Sequence, residues 1–285
     1  MTIAAMNQDL LPGLYIVATP IGNLGDITRR AVATLERADL IACEDSRVTA
    51  KLLHHLGLKR QMVRYNDHSD AQDRERLIDA MRDKVVVLVS DAGRPLISDT
   101  GYKLVREAQA AGVMITTLPG PNAAIAALTL SGLPSDRFLF VGFLPTKSQA
   151  RRRELDAVAQ IEASLVFYES GARLAACLAE MRDVLGNRSA AVVREITKKF
   201  EECRPATLAD LAEQYAHTAA RGEIVVVVGP PLADTSIPDD STIDEALLAA
   251  LADMPAAKAA STVAKRFGLD RKQLYDRATR LKDNG

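Results

Sequence analysis

Several common signatures are scarce or absent in this sequence. The three cysteines, Cys43, Cys177 and Cys203, lie too far apart for a zinc site or a disulfide framework, and the four histidines show no metal-ligand spacing. The longest apolar runs, such as Val85–Val89, are far too short to span a bilayer, and the N-terminus shows no secretory signal pattern. We therefore predict a cytoplasmic protein with no metal site and no membrane segment.

The usual phosphate-binding loops are missing as well. No G-x-G-x-x-G sequence follows a predicted strand, and no G-K-[S/T] sequence occurs anywhere in the chain. These absences argue against a site built to cradle the phosphates of a dinucleotide or a nucleoside triphosphate.

Length and charge point to several folded parts. The 285 residues exceed the usual size of one hydrophobic core, and 48% hydrophobic with 26% charged residues is ordinary for a folded protein. The net charge of -1 hides a gradient, because residues 256–285 contain eight Lys or Arg against three Asp, a net of +5. A basic C-terminal appendage is predicted.

Apolar runs alternate with helical patterns along most of the chain. Strands predicted at 14–19, 40–43, 62–65, 85–89 and 113–118 indicate a mostly parallel α/β sheet. After a turn-rich stretch, strands predicted at 138–141, 164–168, 190–194 and 224–228 allow a mixed sheet. The predicted organisation is an irregular N-terminus (1–12), an N-terminal α/β domain (13–132), a second α/β domain (133–229), a linker (230–240) and a basic helix-turn-helix-like domain (241–285).

Three loops of unusual composition directly follow predicted strands of the first sheet. They are 19–23 (TPIGN), 90–101 (SDAGRPLISDTG) and 119–124 (PGPNAA). Ligands collect at the carboxyl ends of parallel strands, and Gly and Pro let main-chain groups approach a ligand closely. Such loops would suit an adenine and a zwitterionic amino acid tail. Sharp turns between strands and helices explain the same composition, so both interpretations stay open at this point.

Eight ordered motifs resemble the tetrapyrrole-methylase-fold enzymes: TPIGN, ACEDSR, SDAGRPLISDTGY, LPGPNAA, SGLPSDRF, GFLPTK, VFYES and REITKKFEE. Within that superfamily they are similar to the ribosomal RNA small subunit methyltransferase I branch, the 16S cytidine 2′-O-methyltransferases. The resemblance covers about 14–229, and the basic tail is also similar to that branch's C-terminal helical domain. It implies a two-domain α/β homodimer that binds S-adenosylmethionine between its domains and acts on 16S ribosomal RNA or the assembled small subunit.

The resemblance also implies the residues of the cofactor site. Carried over motif by motif, they are Pro20, Gly93, Arg94, Ile97, Ser98, Asn122, Ala123, Tyr168, Glu169 and Glu195. The sequence departs from the branch pattern at Arg94 and Thr100, where Thr and Pro are typical. Because a cation beside a sulfonium repels it, we expect the Arg94 guanidinium to turn away from the cofactor.

Methyl transfer to a ribose hydroxyl calls for a nearby proton acceptor. The candidates in the motifs are Glu44, Asp45, Asp91, Asp99, Glu195 and Lys198, of which we assign Glu44, Asp45 and Lys198 as candidate catalytic residues. An ion pair between Asp45 and Arg47 is the alternative for the first group. A charged Lys198 that contacts phosphate is the alternative for the lysine.

Scattered cations are predicted to contact RNA phosphates. They are Arg47, Arg151, Arg152, Arg173, Lys265, Arg266, Lys272, Arg277 and Arg280. Such contacts supply salt-sensitive affinity rather than sequence choice. A solvated helix face is the alternative for the run of arginines at 151–153.

Three functions remain in view at this stage. Ribose methylation of small-subunit ribosomal RNA is the leading one. Methylation of a tetrapyrrole or another small molecule is the second, although a small substrate needs no basic tail. A non-catalytic RNA-binding protein of ribosome assembly, with a cofactor site spoiled by Arg94, is the third.

Overall fold

The computed structural model describes residues 10–66, 69–218, 220–231 and 240–283. The chain divides into two compact units, Met1–Pro231 and Leu232–Gly285. Residues 1–9 of the predicted irregular N-terminus and 232–239 of the predicted linker lie outside the described residues. Both sheets belong to the first unit, so the further boundary between 132 and 133 stays a prediction.

The first sheet is parallel throughout. Its strands are β1 Gly13–Val17, β2 Leu40–Cys43, β3 Met62–Arg64, β4 Val85–Val89 and β5 Ile115–Leu118, in the spatial order β3-β2-β4-β1-β5. The helices of this part are a short 3-10 helix Leu24–Asp26, α1 Arg29–Glu36, α2 Ser46–His55, α3 Ala71–Ala80, α4 Tyr102–Ala110 and α5 Ala123–Leu130. All five strands were predicted from the sequence.

The central strands β1 and β4 are apolar and buried at nearly every position because helices cover both faces of the sheet. Alternate side chains of β1 enter two different cores. Val17 packs with Leu35 of α1 on one face, and Ile16 packs with Leu104 of α4 on the other.

The second sheet is mixed, as predicted. Its strands are β6 Phe138–Phe143, β7 Ser164–Ser170, β8 Ser189–Arg194, β9 Glu202–Thr207 and β10 Glu223–Val228, in the order β6-β7-β10-β8-β9. Only the β6–β7 pair is parallel. The accompanying helices are α6 Ser148–Val158, α7 Gly171–Leu185 and α8 Leu208–His217.

Strand β9 is the element of this sheet that the sequence pattern missed. It contains Pro205, which cannot donate a ladder hydrogen bond, and it is half-buried rather than apolar. Its position at the edge of the sheet tolerates both features.

Helix α5 follows the first sheet in the chain but packs on the second sheet. Its Ala127 and Leu128 share a core with Val166, Val193 and Val225, which lie on one face of β7, β8 and β10. The opposite face of these strands packs against α7 and α8. Helix α5 therefore joins the two sheets.

The second compact unit contains α9 Asp240–Asp253, α10 Ala256–Phe267 and α11 Arg271–Asp283. Leu247, Val263 and Leu274 meet in its core. Helix α10 ends at Gly268, which takes a left-handed conformation with φ 66°. Among the described residues, no helix has the length and apolarity to cross a membrane.

Candidate functional site

A cavity of about 300 Å³ lies where one end of the first sheet faces one end of the second, and we call it the cleft cavity. From the first part of the chain it takes loop residues after β1, β4 and β5: Ile21, Ala92, Gly93, Arg94, Ile97, Ser98, Asp99, Asn122 and Ala123. From the second sheet it takes Phe143, Tyr168, Glu169, Ser170, Ile196, Gly222, Glu223, Ile224 and Val225. The three loops singled out in the sequence therefore converge on one cavity.

The loops after β1 and β4 are tied together by main-chain hydrogen bonds. Thr19 N donates to Gly93 O at 2.8 Å, and Gly93 N donates to Thr19 O at 3.1 Å. Gly93 has a φ of 78°, and a Cβ at this position would lie 3.1 Å from Cγ2 of Ile21. A side chain here would be strained and would crowd the cavity wall.

Backbone strain is concentrated around the cleft cavity. Among the described residues other than glycine, four have a left-handed φ: Leu96, Ser98, Glu195 and Thr197. Two belong to the loop after β4 and two to the loop after β8. Each such residue costs about 1–3 kcal/mol and persists only where its surroundings hold it, which is typical of ligand-binding loops.

The N-terminus of α5 faces the cleft cavity. Asn122 caps the helix by accepting a hydrogen bond from Ile125 N at 3.0 Å, and both Asn122 and Ala123 line the cavity. The first N–H groups of a helix have no partner within the helix and favour an anionic group nearby. Burial raises the pKa of Tyr168 on the opposite wall, and a hydrogen bond with the Ala124 backbone partly offsets this rise.

Eight of the ten residues predicted to bind the cofactor line the cleft cavity: Gly93, Arg94, Ile97, Ser98, Asn122, Ala123, Tyr168 and Glu169. Pro20 instead lines a second cavity of about 190 Å³ together with Asp91. Glu195 does not line the cleft cavity, because its carboxylate accepts hydrogen bonds from Lys198 Nζ and Glu223 N at 3.1 and 3.3 Å.

The Glu169 carboxylate is directed away from the centre of the cleft cavity. Its side chain follows the alternation of Leu165 and Phe167, which pack towards α7. The carboxylate accepts from Ser170 N at 2.8 Å and pairs with Arg173 Nε at 3.3 Å. Burial and the neighbouring Glu169 raise the pKa of the Cys177 thiol on α7 to about 12. Glu169 therefore forms part of the cavity wall, and its charged group does not point towards a ligand in the cavity.

Arg94 turns its guanidinium in the direction we expected. Nη2 donates to Thr117 Oγ1 on β5 at 2.7 Å, and Thr117 does not line the cleft cavity. Thr100, the other departure from the branch pattern, is buried and accepts a hydrogen bond from Leu96 N at 3.2 Å. Both residues are accommodated by contacts within the protein.

Asp45 is engaged as the N-cap of α2. It accepts from Arg47 N at 2.8 Å and forms an ion pair with Arg47 Nη2 at 2.5 Å. Its hydrogen bonds with Arg47 lower the pKa of this carboxyl to about 2, which makes it a weak proton acceptor at neutral pH. Neither Asp45 nor Glu44 lines the cleft cavity. This geometry favours the alternative stated above, an ion pair between Asp45 and Arg47.

The geometry around Lys198 does not favour its predicted role as a base. Its Nζ lies 3.1 Å from Glu195 Oε1 and 3.0 Å from Glu223 Oε2. Burial tends to lower its pKa, but hydrogen bonds to Glu223 and Glu195 outweigh burial, and the pKa is raised. The amine therefore stays charged and cannot accept a proton.

Three of the residues predicted to contact RNA hold parts of the protein together through their guanidinium groups. Arg151 is only 6% exposed and binds both oxygens of Glu180, at 2.7 and 2.8 Å. Arg173 donates to Leu144 O at 2.7 Å besides its pair with Glu169. Arg277 pairs with Asp240 and Asp244 at 2.5 Å each.

The remaining predicted RNA contacts lie on the surface. Arg47 is 86% exposed, and Arg152 lies 3.7 Å from Asp183. Lys265, Lys272 and Arg280 are exposed on the helices of the second unit. The side chain of Arg266 lies outside the described residues.

Sequence reasoning missed several wall residues from the second half of the first compact unit, namely Phe143, Ser170, Ile196 and the segment 222–225. The start of β10 reaches the cleft cavity because β10 runs antiparallel to β7 and β8. A single apolar run does not reveal its direction in a sheet. The available signals were Phe143 within the motif GFLPTK and Ile196 within the motif REITKKFEE.

Comparison with known proteins assigns the chain to a family. Residues 13–212 match the family described as Tetrapyrrole (Corrin/Porphyrin) Methylases, and 237–282 match the RsmI C-terminal HTH domain. Ribosomal RNA small subunit methyltransferase I of Erythrobacter litoralis is 56% identical over 96% of this chain and 97% of its own length. The protein of that name from Mesorhizobium japonicum is 50% identical, over 97% and 94%.

Solved structures with the same fold share little sequence with this chain. Diphthine synthase superposes with a TM-score of 0.60 at 18% identity, over 76% of this chain and 89% of that one. Uroporphyrin-III C-methyltransferase of Thermus thermophilus, complexed with S-adenyl homocysteine, gives 0.51 at 21% identity, over 76% and 97%. These structural similarities show the fold, and the two relatives aligned over almost their whole length show the family. The chain belongs to the ribosomal RNA small subunit methyltransferase I family, which has the tetrapyrrole methylase fold.

Proposed function

We propose that this protein transfers a methyl group from S-adenosylmethionine to the ribose 2′-hydroxyl of a cytidine in 16S ribosomal RNA. Membership of the family supports the reaction and the substrate. The observation that carries the proposal is the convergence of three strand-end loops and one end of the second sheet on the cleft cavity.

The cleft cavity suits this cofactor in size and in chemistry. Its volume of about 300 Å³ falls in the range of small-molecule sites. Ile97, Ile196 and Val225 give it apolar walls for the adenosyl part, while the N-terminus of α5 offers backbone N–H groups to the amino acid tail. When bound, S-adenosylmethionine supplies an electrophilic methyl group on a sulfonium.

The protein itself positions the two reactants and accepts the proton of the ribose hydroxyl. Most of the rate gain in such a transfer comes from holding the hydroxyl oxygen in line with the reactive bond. The residues with left-handed φ in the loops after β4 and β8 flank the wall residues Ile97 and Ile196, so the surrounding structure fixes these two stretches of wall. Of the carboxylates considered in the sequence analysis as proton acceptors, Asp99 lines the cleft cavity, and we take it as the candidate to accept the hydroxyl proton.

The proposal also includes how the protein binds RNA, that it forms a homodimer and where in the cell it acts. Exposed Lys265, Lys272 and Arg280 give the C-terminal unit a salt-sensitive affinity for 16S RNA or for the assembled small subunit.

Ile125 and Leu130 leave apolar surface exposed on α5, which supports a homodimer. We place the enzyme in the cytoplasm, where its substrate is assembled.

The test begins with calorimetric titration of S-adenosylmethionine into the wild-type protein and two glycine variants. Gly93→Ala should abolish detectable binding, because the added methyl group crowds Ile21. Gly57→Ala is the matched control: its φ of 70° imposes similar strain, but its Cβ would meet nothing within 4 Å, so affinity should be unchanged. No binding by the wild type would sink the enzyme proposal and favour the non-catalytic alternative.

Mass mapping of ribose methylation in 16S RNA then tests the substrate. RNA from cells lacking this protein should lose one 2′-O-methyl cytidine, and the purified enzyme should restore it on small subunits or on RNA extracted from them. An unchanged methylation map, with methyl transfer only to small molecules, would favour the second alternative.

A further inference from the structure

A further cavity, of about 250 Å³, lies on the α8 side of the second sheet, and we call it the arginine pocket. Arg194 of β8 follows the alternation of Ala190 and Val192, whose side chains pack with α7 and α8, whereas Ala191 and Val193 face α5. The Arg194 side chain therefore points to the α8 side.

Strand register brings three charged side chains together in the arginine pocket. Glu202 of β9 lies directly opposite Arg194, and Arg204 lies opposite Val192, so all three share one face. Nε of Arg194 and Nε of Arg204 each donate to one oxygen of Glu202, at 2.5 Å in both cases. One carboxylate thus orients two guanidinium groups.

The pocket has unused donors and an excess of positive charge. Within the described residues, the terminal Nη atoms of Arg194 and Arg204 donate no hydrogen bond, and Arg221 forms no ion pair. Three arginines against one glutamate leave a formal charge of +2. Uncompensated cations around a concave site attract an anion.

Tyr215 of α8 gives independent evidence that the arginine pocket binds a hydrogen-bonding ligand. The residue is only 6% exposed, and its buried hydroxyl has no hydrogen-bond partner in the described structure. Burial raises its pKa, with the charges of Arg204 and Arg194 opposing the rise, so the hydroxyl lies near those groups and stays protonated as a donor. A buried polar group without a partner calls for an explanation.

We propose that the arginine pocket binds a phosphate group and that, in the enzyme–RNA complex, this is a backbone phosphodiester of the substrate strand. The RNA source rests on the proposed function. Guanidinium groups match phosphate oxygens in geometry and charge. Arg221 lines the pocket and the next residue, Gly222, lines the cleft cavity, so a strand whose ribose enters the cleft passes beside the pocket.

The experiment compares RNA binding by the full-length wild type, Arg204→Gln, Arg221→Gln and the control Arg76→Gln. Arg76 is an exposed cation outside the arginine pocket, 68% accessible and 3.7 Å from Asp73. Each pocket variant should weaken binding of 16S RNA roughly tenfold, through loss of a charge-assisted hydrogen bond. Each should also reduce the slope of log affinity against log salt by about 1. Arg76→Gln should do neither. Affinity for S-adenosylmethionine should be the same in all four proteins.

A second arm titrates inorganic phosphate in chloride buffer and follows thermal unfolding. Phosphate should raise the Tm of the wild type and of Arg76→Gln but not of Arg204→Gln. The same result with unchanged RNA affinity would support the phosphate site and assign it to a free phosphate-bearing molecule. If neither RNA nor phosphate distinguishes the pocket variants from the control, the proposal is overturned and the two arginines only fasten β9 to β8.

The two proposals fail in different ways. Wild-type protein that binds no S-adenosylmethionine would overturn the proposed function, yet the phosphate titration would still report on the pocket. Arg221→Gln removes no ion pair of the described structure, so its result does not depend on the stability of the β8–β9 edge.

Discussion

The aliphatic chain of Lys198 packs directly on Gly22. A Cβ built on Gly22 would lie 2.6 Å from Cγ of Lys198, and Nζ of the same side chain reaches Glu195 and Glu223. Gly22 belongs to the loop after β1, whereas the other three residues belong to the second sheet and its loops. One lysine therefore connects the loops on both sides of the cleft cavity.

Gly22→Ala should separate these loops. The new methyl group would collide with Lys198, and the φ of 148° adds strain. We expect a loss of roughly 1–3 kcal/mol in the free energy of unfolding, together with weaker binding of S-adenosylmethionine, measured by urea denaturation and calorimetry. Gly112→Ala is the control, since its φ of 70° is strained but its Cβ would meet nothing within 4 Å. Equal effects on cofactor affinity in both variants would contradict the connecting role of Lys198.

Asp45 should contribute to stability in a pH-dependent way. Its folded-state pKa of about 2 is lower than the ordinary 3.8, so the folded protein favours the ionised carboxylate. The stabilisation is complete above about pH 4 and disappears as the pH falls through about 2. Asp45→Asn keeps a capping oxygen but cannot titrate.

The measurement for Asp45 is urea unfolding of wild type and Asp45→Asn across acidic pH. The wild type should be the more stable above pH 4, and the difference should shrink towards pH 2. Methyl transfer at neutral pH should survive the substitution. A large loss of turnover without loss of cofactor binding would restore Asp45 as a catalytic residue.

Arg151→Ala should destabilise the protein without affecting RNA binding. The change leaves the Glu180 carboxylate, 15% exposed, without its partner, and breaking such a buried pair costs about 3–5 kcal/mol. Arg152→Ala is the neighbouring control, because its pair with Asp183 is exposed and should contribute no more than about 1 kcal/mol. Denaturant unfolding gives the stabilities. Weaker RNA binding by Arg151→Ala at unchanged stability would restore the sequence-based prediction.

Ending the chain at Pro231 should uncouple RNA affinity from cofactor affinity. The residues up to Pro231 form a compact unit that contains the whole cleft cavity, while the exposed Lys265, Lys272 and Arg280 lie beyond it. Binding of 16S RNA should weaken, with a shallower salt dependence, and affinity for S-adenosylmethionine should be unchanged. Equal loss of both affinities would show that the C-terminal unit belongs to the cofactor site.

Strands and loops were predictable where local composition determines them. The run Val85–Val89 is apolar on both faces, which is sufficient for a central parallel strand, and the Gly- and Pro-rich loops mark the ligand edge. The direction in which an individual side chain points was harder to predict from the sequence. Arg151 lies on the same helix face as Leu155, four residues later, so the buried face of α6 includes one member of an arginine run.

The orientation of the two carboxylates predicted for the cofactor site was equally hard to predict from the sequence. Glu169 and Glu195 both belong to the right motifs, but each carboxylate is held by neighbours that only the folded chain brings close. Motif resemblance identifies the segment of chain at a cavity. Which atoms of that segment face a ligand depends on strand alternation and on the partners across the sheet.

Helix α5 has a consequence for selectivity. It is fixed to the second sheet, and only Pro119–Asn122 connects it to the last strand of the first. Two prolines in four residues leave this bridge little freedom to stretch or fold. This short stretch of backbone therefore limits how far the gap between the sheets can widen, and a methyl donor must match that spacing.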